Sequence, residues 1–135
     1  MRVDEPTLDQ RRAAHALNRI RALQTQDDEI QGRYRSYVQA LPAEIMMNGL
    51  GQALATHLAA SSEPGHRPLY EDVSRWLCRN DGYAPYPGKA NVIDAICSSD
   101  AVSYRQAHTE AMHYLLWLKK FAVAFLKKSP EEVHP

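Results

Sequence analysis

The chain has 135 residues, 44% of them hydrophobic and 24% charged, with sixteen Lys and Arg balancing sixteen Asp and Glu. That size and composition suit one globular domain burying roughly two-thirds of its unfolded surface, and the zero net charge excludes long-range attraction of a polyanion by the molecule as a whole. No apolar run approaches the roughly 20 residues that span a bilayer, Met1 to Glu5 carry no apolar signal segment, and Cys78 and Cys97 are too few for a disulfide framework, so a soluble, cytoplasmic protein is expected.

Thr7 and Gln10 stand at capping-box spacing, after which Ala13, Ala16, Leu17, Ile20 and Leu23 recur at helical intervals. The outer face of this first helix carries Arg11, Arg12, His15 and Arg19. A second helix is predicted over 28–40, its acidic start suiting the N-terminal dipole, with Tyr34, Tyr37, Val38 and Leu41 inward. Pro42 predicts a break at Leu41 and opens a third helix whose core side holds Ile45, Met46, Gly49, Leu50, Ala53, Leu54 and Leu58. Gly49 and Gly51 each cost about 1 kcal/mol in a helix interior, which predicts a compensating close approach by a neighbouring helix over Gly49 and Ala53. No Lys-Ser/Thr follows them, so they do not read as a phosphate loop.

Residues 61–68 read as a loop and 69–79 as a short helix with Val73, Trp76 and Leu77 inward. The next loop, NDGYAPYPG, places Tyr83 and Tyr86 close in sequence to Arg75, Arg79 and Lys89. Such tyrosines either stack on unpaired bases or pin the loop to its own domain. A helix over 91–97 carries Val92, Ile93 and Ile96, and Ser98, Ser99 and Asp100 offer caps for the last helix.

That last helix, within 99–128, has more apolar surface than one interface uses. Tyr104, Ala107, Ala111, Leu115, Leu118, Ala122 and Phe125 fall on a core stripe, with Trp117 beside Leu118 also expected inside. Arg105, Met112, Leu116, Lys119, Lys120, Val123 and Lys127 share the opposite face, where apolar ridges alternate with cations. This second face is expected to meet something partly apolar and partly anionic, with Met112, Leu116 and Val123 as protein-interface residues. Arg105, Lys119, Lys120 and Lys127 help give the segment a net charge of +3, while acidic residues cluster at 27–29 and 131–132. Separated patches of opposite sign suit contacts between copies as well as a basic face for a polyanion.

No period-2 alternation persists, so the predicted class is all-α: one compact domain over 1–135 of about five to six helices with a long C-terminal helix, and flexible ends at about 1–6 and 129–135. His108 and His113 lie five apart, about 140° round a helix, and cannot share an ion; the other histidines lack ligand neighbours, so no metal or cofactor is expected. Nucleophile motifs are absent and the paired carboxylates sit in polar sequence, which argues against an enzyme.

The segment YVQALPAEIMMNGL, with Leu41-Pro42, Ile45 and Asn48-Gly49-Leu50, resembles the small helical subunit of the type III-B (Cmr) CRISPR effector complex. Tyr104-Arg105, Thr109-Glu110-Ala111, Leu115 and the run from Trp117 to Ala122 resemble a second block of that family, in the expected order. The resemblance implies a non-catalytic subunit for antiviral defence, stacked in several copies beside the backbone and large subunits of a guide-RNA ribonucleoprotein and lining the groove where target RNA pairs with the guide. It implies phosphate contacts at Arg105, Lys119 and Lys120. Adding Arg11, Arg12 and Arg19 rests on their common helical face alone. The alternatives are a protein scaffold without RNA contact and, more distantly, a small helical nuclease.

Overall fold

The computed structural model describes residues 4–129, and every regular element among them is an α-helix. The order is α1 (Leu8–Leu23), α2 (Asp28–Asn48), α3 (Leu50–Ala59), α4 (His66–Leu77), α5 (Val92–Ser98) and α6 (Ala101–Phe125). The all-α architecture with a long last helix is the one predicted. Thr7 begins α1 with a complete capping box: its hydroxyl accepts from the Gln10 amide at 3.0 Å while Gln10 Oε1 accepts from the Thr7 amide at 2.7 Å. Asp27 caps α2 through Ile30, Asn91 caps α5 through Asp94, and Asp100 caps α6 through Ser103.

The predicted break at Leu41 does not occur. α2 runs through Pro42, because Tyr34, Val38, Leu41 and Ile45 form one continuous, fully buried ridge on both sides of it. A mid-helix proline costs about 3 kcal/mol, and burying Leu41 and Ile45 side chains, at about 1.5–3 kcal/mol each, offsets that. Keeping the α2 phase past Pro42 turns Met46 outward, 68% exposed, where a core position was expected. The chain turns instead at Gly49, whose φ of +87° suits glycine; it is both the C-cap of α2 and the residue before α3. Gly49 therefore carries no helix-interior penalty. The neighbour approaching this corner is the hydroxyl of Tyr104, which accepts from the Gly51 amide at 3.0 Å, so α6 satisfies an otherwise orphaned donor in the first turn of α3.

α4 begins three residues before the predicted start, since Pro68 in the first turn sacrifices no helical hydrogen bond. α6 packs against α1, α2, α3 and α4 and is the central element of the fold. Ala107, Ala111, Leu115, Leu118 and Ala122 are fully buried as predicted. Tyr104 is half-buried, and Phe125, at the helix end, is 44% exposed beneath the Arg21 guanidinium, 5.9 Å from its ring centre. Trp117 is half-buried rather than buried, its indole N–H donating to Asp9 at 3.1 Å. After α6, the Lys127 amide donates to Gln31 and Ser129 is buried on Gly32, where a Cβ would lie 2.6 Å from Ser129 Cα. The parts of the expected flexible ends at 1–3 and 130–135 lie outside the described residues.

Candidate RNA and subunit interface

The outer face of α6 is built as its periodicity implies. Arg105, Leu116, Lys119, Lys120 and Val123 are exposed and Met112 is half-buried; Leu116 and Val123 are 58% and 45% exposed. Arg105, Lys119 and Lys120 enter no ion pair among the described residues. Lys127 is exposed but lies beyond the helix end, so only the first part of the predicted stripe is helical. Val102, 54% exposed, extends the same face by one turn and was missed, although its i−3 spacing to Arg105 signals it. Met46 and Met47 form a further exposed apolar pair, hidden from the sequence reading by the misplaced break at Pro42.

The arginines of α1 have different surroundings. Arg12 grips Glu110 bidentately, Nε to Oε2 at 2.7 Å and Nη2 to Oε1 at 2.8 Å, and reaches Asp9 at 3.2 Å. Glu110 also accepts the Trp76 indole N–H at 2.9 Å. Burial alone would push the Glu110 carboxyl up; the hydrogen bonds from Arg12 and Trp76 and the charge of Arg12 outweigh it and hold the group low. Arg19 donates to Asp72 at 2.7 Å, and Tyr34 donates to the other Asp72 oxygen at 2.8 Å. Burial pushes Asp72 up despite both donors. Both carboxylates stand on buried faces, between Leu69, Val73 and Trp76 or between Ala107, Ala111 and Tyr114, and a carboxylate in such a pattern signals an internal cation. Arg11 is half-buried and makes no ion pair among the described residues.

His15 closes the network, 2.7 Å from the Tyr114 hydroxyl and packed on Trp76. Burial and the nearby charges of Arg19, Arg79 and Arg75 lower its pKa to about 4, so it is neutral at physiological pH. Arg79 lies over the Trp76 ring at 3.6 Å and pairs with Asp81 at 2.7 Å. Of the two loop tyrosines, Tyr86 is buried and pins the loop to its own domain, while Tyr83 is 72% exposed. Among the described residues, no three His, Cys, Asp or Glu side chains converge as metal ligands, and no helix is long and apolar enough to cross a membrane.

The helical arrangement is similar to the crystal structure of a CRISPR-associated Cmr5 family protein from Thermus thermophilus, with a TM-score of 0.71 and 24% identity over 90% of this chain and all of that one. Independently of fold, residues 8–125 match the family model described as CRISPR-associated protein (Cas_Cmr5), a span reaching from the first helix to the last residue of α6. With residues 8–125, nearly its full length, accounted for by that match, the chain belongs to the Cmr5 family of subunits of the Cmr (type III-B) CRISPR complex.

Proposed function

We propose that the chain is a non-catalytic subunit of the cytoplasmic type III-B ribonucleoprotein, stacking beside the backbone and large subunits and further copies of itself, and lining the guide–target RNA groove with the outer face of α6. The observation that carries this reading is the exposure of Arg105, Lys119 and Lys120, without anionic partners among the described residues, on a face interleaved with exposed Leu116 and Val123. A solvated charged face needs no such apolar ridges, and a purely apolar interface has no use for three unpaired cations. Lys127 extends the basic region past the helix. Arg12 and Arg19 are better read as interior partners of Glu110 and Asp72, which leaves Arg11 as the α1 residue available to RNA.

The experiment is charge reversal of Arg105, Lys119 and Lys120 to Glu in the assembled complex, with target-RNA affinity measured across a salt series. Each lost single-strand phosphate contact removes about 0.7 from the slope of log K against log salt, so the slope falls by about 2 and affinity drops alike for all sequences. Normal assembly with unchanged affinity and slope refutes the RNA contact and makes the subunit a protein scaffold.

A further inference from the structure

The loop between α4 and α5 forms one wall of an open cleft of about 600 Å³, lined by Tyr83 on one side and by Arg105, Gln106 and Thr109 of α6 on the other. We propose that this cleft holds a single unpaired nucleotide of an RNA strand, its base stacked on Tyr83 and its phosphate on Arg105. The inference rests on the RNA-lining reading of α6 and adds to it a base contact.

Three features support it. Tyr83 is held out, not loosely displayed: its amide donates to Asp81 Oδ1 at 2.8 Å, Asp81 is fixed by Arg79, and the following Ala84, Pro85 and Tyr86 are all buried. A ring kept 72% exposed on an anchored loop forgoes the burial that its neighbours obtain, and presents a flat π face to a ligand at little ordering cost. The electrostatics are next. Glu110 stands in the wall with Arg12, which occupies both its oxygens, one of them also held by Trp76, so the guanidinium of Arg105, with no ion pair among the described residues, sets the sign of the cleft. Finally, the lining has polar side chains, Gln106 and Thr109, suited to a ribose or base edge, and the volume falls within the roughly 300–1,000 Å³ of small-ligand sites. The mouth is open, which suits one residue of a continuing strand better than a free nucleotide. Arg105 also belongs to the face that carries Lys119 and Lys120 about 21 Å further along the helix, so a strand in the cleft continues onto the other exposed cations.

The test uses the assembled complex and target RNAs with a single-stranded flank in which one abasic position is walked along the strand. With the wild-type subunit, one position should lose about 5- to 150-fold in affinity, the contribution of one stacked base. Tyr83→Ala should lose the same factor on intact RNA, become insensitive to that abasic position, and keep its salt slope; Tyr83→Phe should restore binding. Because Tyr83 is exposed, neither variant disturbs the core. If Tyr83→Ala binds like wild type while reversal of Arg105, Lys119 and Lys120 lowers affinity and slope, the nucleotide cleft is wrong and the RNA-lining reading stands. If neither set matters, both fall. Loss of incorporation by Tyr83→Ala places the ring in a partner protein and also overturns the proposal.

Discussion

Replacing Arg19 by Met separates the two roles its charge can have. In the folded protein its guanidinium faces Asp72, whose side chain is only 3% accessible, so the substitution leaves that carboxylate buried with the Tyr34 hydroxyl as its remaining partner. Breaking a buried pair in this way costs about 3–5 kcal/mol, and because Arg19 is itself 25% accessible the lower end applies, about 3 kcal/mol. With an unfolding entropy of about 2.1 cal/mol/K per residue, that lowers the melting temperature by about 10 °C in circular dichroism. Two signatures accompany the loss. Asp72→Asn in the same background should recover much of it, since the amide still accepts from Tyr34 without a charge. Acid should also narrow the deficit: burial already raises the Asp72 pKa, and without Arg19 it rises further, so between the unfolded and folded values the native state binds the extra proton and stability falls as pH increases. A variant that melts within about 3 °C of wild type and binds target RNA poorly in the complex refutes the reasoning and returns Arg19 to the RNA face.

His15 supplies the opposite pH dependence: its pKa is 6.5 unfolded and about 4 folded, so the unfolded state binds the extra proton and stability declines as pH falls from about 6.5 to 4. Solvent at the ring's accessible edge limits the effect to about 2 kcal/mol, measured as the difference between the urea-unfolding profiles of wild type and His15→Gln; parallel profiles refute it. Leu118→Asp, at a fully buried site, should unfold or aggregate the protein, because an unpaired buried carboxylate costs several kcal/mol of a total of about 5–15. Leu116→Asp, on the outer face, should keep its helical signal and lose incorporation into the complex; equal loss of helicity in both shows the outer face to be core.

Features decided within one or two turns were legible in the sequence. Thr7 with Gln10 and Asp100 ahead of α6 cap where spacing placed them, and the Ala107, Ala111, Leu115, Leu118 and Ala122 stripe is the buried one. Pro42 misled because its penalty is local while the compensation, burial of Leu41 and Ile45 against other helices, is not. The same separation explains Arg12 and Arg19, which share a helical face that reads as a basic surface until Glu110 and Asp72 are brought to it from 98 and 53 positions away. Trp117 shows the converse: its polar tip reaches Asp9 at the start of α1, which holds the ring at the rim of the core.

The pairing of α1 with α6 also sets the order in which the nascent chain can mature. Arg12 meets Glu110 across 98 positions and His15 meets Tyr114 across 99, so these contacts do not exist until α6 has been synthesised, and only those with α4, such as Arg19 to Asp72, can form earlier. A 16-residue helix alone in water is marginal, and closing so long a loop costs about 4 kcal/mol before any contact rewards it. Until then the burial of Ala16, Ile20 and Leu23 is incomplete, and the chain stays open to chaperones and proteases. A ribosome-bound or truncated chain lacking α6 therefore presents neither the outer face of that helix nor a core able to support it, and on the proposed role incorporation selects finished molecules.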